Sequence, residues 1–187
     1  MLKKIAAALG AAILVFVLVV ATRPSTFHYE RSTTIAAGAD VVLEQITDFH
    51  TWAKWSPWDK LDPAIQRTYG GAPTGTGATY AWVGNDKVGE GRMTIEAVAP
   101  TSSVRIKLEF LKPFAATDIS TFTVTPEGQG VKLVWSMDGT NNFGAKAAGL
   151  FMDMEKMIGN DFDNGLAGIK ALAEAAPKKH YGSGAAE

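Results

Sequence analysis

The 187-residue chain contains no cysteine. That absence removes disulfides, thiolate nucleophiles and cysteine-based zinc or iron–sulfur sites together. Neither sign of charge is in excess, with 18 Lys+Arg against 19 Asp+Glu. A neutral chain lacks the clustered basic face that nucleic acid requires, so no nucleic-acid partner is expected. Histidine is scarce: His28, His50 and His180 stand isolated. No H-x-x-x-H or H-E-x-x-H spacing occurs, and no metal site is expected. Ser56 lies in W-S-P rather than on a nucleophile elbow. The stretch NDFDNG at 160–165 has the look of a calcium loop, but it would put Phe162 and Ala171 at ligand positions, which excludes it. Gly75-Thr-Gly77 and Gly89-Glu-Gly91 lack the third glycine and the following helix of a phosphate cradle, and read as hairpin and bulge glycines. No cofactor and no catalytic residue follow from these patterns.

One long apolar run is present. Ile5 to Thr22 is 18 residues without charge, proline or asparagine, bounded by Lys3, Lys4 and Arg23. As a helix it would extend about 27 Å, close to the hydrocarbon thickness of a bilayer. A core helix would keep a polar face, which this run lacks. A cleaved signal peptide is the alternative, with Ala21 as the small residue near a cleavage point. The run is longer than an ordinary signal core, and residues 1–26 read as an uncleaved signal anchor and linker. Lys3 and Lys4 then stay cytoplasmic and the folded part lies on the extracytoplasmic, periplasmic side. Arg23 and Arg31 pull against that orientation.

Residues 27–176 read as one domain. Phe27 to Ile35 alternates with period two, as a strand does. Val42, Ile46 and Phe49 recur at helical spacing, so a short helix runs to about Asp48. Then comes TWAKWSPWDK, residues 51–60, which holds three of the five tryptophans around a helix-breaking Ser-Pro. Six strand candidates follow at 65–69, 78–83, 89–98, 104–111, 118–125 and 131–137, separated by Gly, Asn and Pro turn chemistry. Short links imply an antiparallel meander. Val104, Ile106, Leu108 and Phe110 oppose Arg105, Lys107 and Glu109, so one face is wet and the other covered. From about Ala145 to Ala175 a single helix is predicted, with the stripe Phe151, Met154, Ile158, Phe162, Leu166, Ile169 and Leu172. Gly159 and Gly165 would bend it. Residues 177–187 form a short polar tail, expected to be disordered.

The element order, with TWAKWSPW at 51–58, Tyr80-Ala-Trp82, Gly89-Glu-Gly91-Arg-Met93-Thr-Ile95, Val134-Trp135-Ser-Met137-Asp-Gly139 and Asp161-Phe162-Asp-Asn-Gly165-Leu166, resembles the START/Bet v 1-like (SRPBCC) superfamily. More narrowly it resembles the bacterial polyketide cyclase/dehydrase-like group. The resemblance implies an α+β helix-grip fold, with a seven-stranded antiparallel sheet wrapped around a long C-terminal helix, here preceded by a transmembrane helix. It also implies an apolar cavity between sheet and helix that takes a lipid or other hydrophobic small molecule.

On that reading the cavity is lined by Trp55, Trp58, Trp82, Trp135, Met137, Phe143, Phe151, Met154 and Phe162. Trp58, past the proline, is the expected rim residue, and Trp52 or Trp55 mainly packing. The partners are then a hydrophobic small molecule or lipid, and a membrane through the N-terminal helix. Two alternatives stand beside binding: a cyclase or dehydratase using the same cavity, and an envelope interaction module whose cavity is filled. An enzyme would need an inward acid or base. Glu96, Glu109 and Asp138 fall on the polar phases and are expected to face water. Tyr29 and Arg31 share a face with Phe27 and Ile35, and a solvent-facing Arg31 is the favoured expectation.

Overall fold

The computed structural model describes residues 1–177. The expected disordered tail from 178 onward, with His180, lies outside the described residues. The elements run α1 (Leu2–Ala21), β1 (Thr26–Ile35), α2 (Ala39–Thr47), two 3₁₀ turns (Phe49–Lys54 and Trp58–Lys60), β2 (Gln66–Gly71), β3 (Ala78–Val83), β4 (Glu90–Ala99), β5 (Ser103–Lys112), β6 (Ala116–Glu127), β7 (Gly130–Thr140), α3 (Phe143–Ala148) and α4 (Met154–Ala175). All seven strands form one antiparallel sheet in the order β1-β7-β6-β5-β4-β3-β2. The meander is closed by β1, which pairs with the last strand rather than with its neighbour in sequence.

Helix α4 lies over β1, touches β7 and packs against α2, which covers β5 and β6; the first 3₁₀ turn meets β3. The shared core holds Ile35, Ile95, Val104, Ile106, Phe122, Leu133, Leu166 and Ile169, all essentially inaccessible. Each such side chain contributes about 2 kcal/mol of burial. The C-terminal end of α4 is tied to the end of β1 by polar contacts as well. Lys170 Nζ donates to the Thr34 carbonyl at 2.6 Å, and the Ala36 N–H donates to Glu174 Oε1 at 2.8 Å.

Two expectations need correction. The C-terminal helix is interrupted: α3 ends at Ala148 and α4 starts only at Met154. Asn142 caps α3 by accepting the Ala145 N–H, and Asp153 caps α4 by accepting the Lys156 N–H, both at 2.9 Å. Two N-cap side chains thus define two helix starts where periodicity alone suggests one run. Phe151, in register with the stripe, falls in the break and is 80 % exposed. Gly159 and Gly165 lie within α4, which is continuous through both, and admit close neighbours. A Cβ on Gly159 would lie 2.1 Å from Arg31 Nη2, and one on Gly165 would lie 2.6 Å from the Trp135 ring. Arg31, finally, does not face solvent. It lies across α4 at Gly159, between Glu155 at 3.9 Å and Asp163 at 3.7 Å, and donates to the Glu30 carbonyl at 2.7 Å.

Among the described residues, α1 is the one helix long and apolar enough to cross a membrane, a test a signal sequence also passes. It is exposed along nearly its whole length, with Val20 buried where its end meets α3.

Candidate functional site

Antiparallel register arranges the inner face of the sheet in rows across the strands. One row runs Arg31, Trp135, Phe122, Val104, and a second runs Tyr29, Met137, Ser120, Ile106, Ile95. The third holds Leu108, Met93, Tyr80 and Tyr69, with Asp118 opposite Leu108 and Phe27 opposite Gly139. The first row is closed over by α2, α4 and the tryptophan segment. Toward the third row the cover thins: Phe27 and Leu108 in that row, Tyr29 in the second and Phe110 one step beyond are only half-buried, although all point inward. The concave face therefore has a closed end near Ile35 and an open end near Phe27, where α4 begins.

The closed end is filled by aromatic rings. Trp135 stacks on Phe162 at 4.2 Å and on Phe122 at 4.7 Å, and meets Trp55 at 5.7 Å and Trp58 at 5.9 Å edge-on. Trp52 and Trp55 lie 4.5 Å apart. Their indole N–H groups donate to the Ile46 and Gln45 carbonyls, each at 3.0 Å. Those carbonyls belong to the last turn of α2, which needs outside donors. The 3₁₀ geometry after Asp48 turns both indoles back onto the helix they follow, so the two rings complete α2 as well as the core.

The nine residues singled out from the sequence fall into three groups. Trp55, Trp135 and Phe162 sit inside the aromatic stack. Trp58 and Met137 lie beside it, Trp58 half-buried next to Asp161 and Met137 between Tyr29 and Ser120, whereas Trp82 lies apart on β3, packed edge-on to Phe110 with its N–H on the Val88 carbonyl at 3.0 Å. Phe143, Phe151 and Met154 belong to α3, the break and the first turn of α4. Phe151 and Met154 border a cleft of about 560 Å³ that also takes in Phe27, Tyr29, Leu150, Met152, Arg23 and Lys146. Phe27 and Tyr29, stacked at 4.7 Å, are shared between this cleft and the open end of the inner face.

Asp118 was missed by sequence reasoning. It projects from β6 into the apolar row and is only 6 % exposed. Its Oδ1 is the one buried side-chain polar atom among the described residues without a hydrogen-bond partner. A Cβ on Gly139 would fall 2.1 Å from that oxygen and 2.4 Å from Phe27 Cζ, so glycine is required beside it. Burial alone pushes its carboxyl up to about 6. Next to it Ser120 Oγ accepts the Trp135 N–H at 2.8 Å, leaving its own O–H available. Tyr29 is pushed up by burial and then by the negative charges of Glu155, Asp118 and Asp153. On α4, burial raises Asp161, with a hydrogen bond from Trp58 acting the other way. The signal for Asp118 was its phase: it shares period two with Ser120, Phe122 and Val124. Its place at the first residue of the expected strand concealed that.

The other acids behave as their phases imply. Asp138 meets His28 Nδ1 at 2.7 Å, Glu109 is forked by Arg92, and Glu96 is held by Arg105 at 3.1 Å, all on the wet face. His28 and His50 are surface groups held by Asp138 and Asp48. Among the described residues no group of three His, Cys, Asp or Glu could hold a metal ion.

The family described as polyketide cyclase / dehydrase and lipid transport matches residues 26–174. Solved structures share the fold. A protein from Mesorhizobium loti aligns with TM-score 0.59 at 14% identity, covering 81% of this chain and 99% of its own. One from Chromobacterium violaceum aligns with TM-score 0.56 at 16% identity, covering 82% and 100%. Major latex-like protein 151 from Panax ginseng aligns with TM-score 0.56 at 16% identity, covering 80% and 99%. No curated protein matches the chain in sequence.

Proposed function

The chain belongs to the polyketide cyclase / dehydrase and lipid transport family, and from that premise we propose that it binds a hydrophobic small molecule or lipid on the open half of the concave sheet face while tethered to a membrane by α1. The observation that carries the reading is the graded cover of the inner face. Side chains that point inward are sealed near Ile35 and half-uncovered at Phe27, Tyr29, Leu108 and Phe110. Burying those apolar surfaces under a guest contributes about 25 cal/mol per Å² removed from water. Met137 and Trp58 would border the guest, with Phe151 and Met154 at its entry. Trp55, Trp135 and Phe162 would support it from within the stack. The tether reading is supported by α1 and by the exposed Phe143, Phe151 and Met152, which follow the point where α1 packs on α3.

The test is mass spectrometry of apolar molecules extracted from full-length protein purified from its native membrane. A guest close to one per chain is expected, lost in Leu108→Trp, which fills the uncovered row. Protein that carries no apolar molecule, and takes up none when offered, would overturn the reading. A second reading, catalysis of the cyclase or dehydratase type, draws on Asp118, an inward acid whose carboxyl burial pushes up to about 6. Turnover abolished by Asp118→Asn, with binding of the guest retained, would separate it from carriage alone.

A further inference from the structure

Exposed apolar side chains are confined to one end of the domain. The ladders set one row straight across the sheet, from His28 through Asp138, Ile119, Lys107 and Thr94 to Thr79. Beyond Ala21, the large apolar side chains that stand exposed among the described residues all lie toward the end where β1 starts and β7 stops. Leu111 and Phe114 belong to the β5–β6 hairpin, and Phe114 is 77 % exposed. Val83 ends β3, and Leu61 is tied to the turn after it, its carbonyl accepting from Asn85 Nδ2 at 3.3 Å. Phe143, Phe151 and Met152 follow β7. Met157 sits in the first turn of α4, whose other end reaches Thr34 and Ala36. The opposite end of the sheet, with its turns at 36–38, 72–77, 100–102 and 128–129, exposes no such side chain. Apolar residues scattered singly over a surface are ordinary, whereas their collection at one end marks a contact.

The same end is where α1 leaves the domain. Val20, in the last turn of α1, is buried where that helix meets α3. From Ala21 to the first residue of β1, Thr26, the chain can reach at most about 18 Å. The headgroup layer on each side of a bilayer is about 5–8 Å thick. An α1 that spans the hydrocarbon therefore brings α3 and the start of β1 to its border. We propose that this end of the domain lies in the headgroup layer of the bilayer, with Phe114 on the β5–β6 hairpin and Phe151 in the helix break as its inserted tips. The inference rests on the tether reading above and adds the orientation of the domain, with the sheet standing end-on to the membrane. The two tips come from separate elements, so their contact fixes the tilt of the domain as well as its distance. The cleft bordered by Phe27, Tyr29, Phe151 and Met154 lies at this end, so an apolar guest would pass between bilayer and cleft without crossing bulk water.

The chain has no cysteine, so a single introduced one can be labelled without background. Leu14→Cys, Phe114→Cys, Phe151→Cys and Gln129→Cys each carry a nitrobenzoxadiazole fluorophore on the full chain, reconstituted in phosphatidylcholine vesicles. The quencher is phosphatidylcholine bearing a nitroxide either near the headgroup or at the end of the acyl chain. Gln129 is the control, exposed in the β6–β7 turn at the opposite end. Labels at 114 and 151 should be quenched about twofold by the shallow nitroxide, as for side chains about 5–10 Å into the boundary of headgroups and acyl chains. The label at 14 should be quenched by the deep nitroxide, and the label at 129 by neither. Quenching at 14 without quenching at 114 and 151 overturns this inference and leaves the tether standing. Labels at 114 and 151 that are shielded from water, by their blue-shifted emission, yet unquenched by lipid would assign this end to a protein contact and equally overturn it. Quenching at 129 as strong as at 114 would show no preferred end and also sink it. No quenching at any of the four positions overturns both readings.

Discussion

Asp62 and Asp118 are buried to the same degree, 7 % and 6 % exposed, and their surroundings are opposite. Asp62 lies in the loop after the second 3₁₀ turn. It accepts the Ala64 N–H at 3.0 Å and the Asn85 N–H at 2.7 Å, fastening the exit of the tryptophan segment to the β3–β4 turn. Asp118 accepts nothing at Oδ1. The difference follows from the backbone. A loop has amides to spare, whereas every inward side chain of a central strand looks out from a ladder whose N–H groups are already paired. A carboxylate on the inner face of a sheet can be satisfied only by a side chain from a covering element or by something that is not protein. Arg31 shows the first solution, with Glu155 and Asp163 reaching it from α4. Asp118 is covered by apolar neighbours that offer Oδ1 no donor.

The largest effect expected from this contrast is at Asp62. Asp62→Ala removes two hydrogen bonds to a buried carboxylate and should cost about 4 kcal/mol in urea denaturation at pH 7, taking about 2 kcal/mol for each hydrogen bond to a charged group. Asp118→Asn should act in the other direction and raise stability by about 2 kcal/mol at pH 7.5. The sign follows from linkage. Its folded-state value near 6 lies above the ordinary 3.8, so the native state holds the proton more tightly than the unfolded chain. Stability therefore falls as pH rises from about 4 to 6 and stays reduced above that window, by on the order of 3 kcal/mol in the limit. The asparagine amide is also poorly satisfied, which trims the gain. Denaturation midpoints from pH 4 to 8 should slope downward in the parent and lose that component in the variant. A loss of stability in Asp118→Asn at pH 7.5 would show that the carboxylate has a protein partner after all.

What could be read from the sequence divides along the same line. The seven strands and the wet and covered faces were legible because period-two alternation is a local property, clear in Val104 to Phe110 and Val131 to Met137. The resemblance carried by the tryptophan segment, Tyr80-Ala-Trp82 and the end of α4 led to the right fold. The division of the last helix was not recovered, because Phe151 keeps the helical phase while the stops lie in the side chains of Asn142 and Asp153. Nor was the inward turn of Arg31, since a glycine at 159 marks a close neighbour only once β1 and α4 are known to cross. The candidate site was the least legible. Aromatic residues drew attention as cavity lining, yet Trp55, Trp135 and Phe162 are almost wholly buried among other side chains. The polar residue that sets the open end apart, Asp118, needed the register between β5, β6 and β7.

Arg31 supplies a sharper form of the comparison at smaller scale. Gly159→Ala places a methyl group on the guanidinium, displacing it from Glu155 and Asp163. Overpacking of this kind costs about 2 kcal/mol, and alanine recovers about 1 kcal/mol of helix propensity, so a net loss of about 1 kcal/mol is expected. In an Arg31→Ala background the obstacle is gone and the same substitution should stabilise α4 by about 1 kcal/mol. The change of sign, measured as a double-mutant cycle by thermal denaturation, is the informative outcome. Loss of stability in both backgrounds would mean that glycine serves the backbone of α4 rather than Arg31.

The smallest effect expected concerns Asp138, which stands on β7 opposite Ile119 and faces outward where Asp118 faces inward. Its partner is on the adjacent strand: His28 Nδ1 lies 2.7 Å away, with Glu30 3.6 Å from the other ring nitrogen. The hydrogen bond to Asp138 raises the imidazole above its ordinary 6.5, slightly offset by desolvation. The contribution is fully present below 6.5 and disappears as pH rises through the raised value. Both groups are about half exposed, so solvent screening holds it under about 1 kcal/mol. Proton NMR titration should find His28 above 6.5 in the parent, returned toward 6.5 in Asp138→Asn and unmoved in Asp118→Asn. A His28 shift on changing Asp118 would mean that the two faces of the sheet communicate electrostatically, and that the inner carboxylate is less isolated than its missing partner implies.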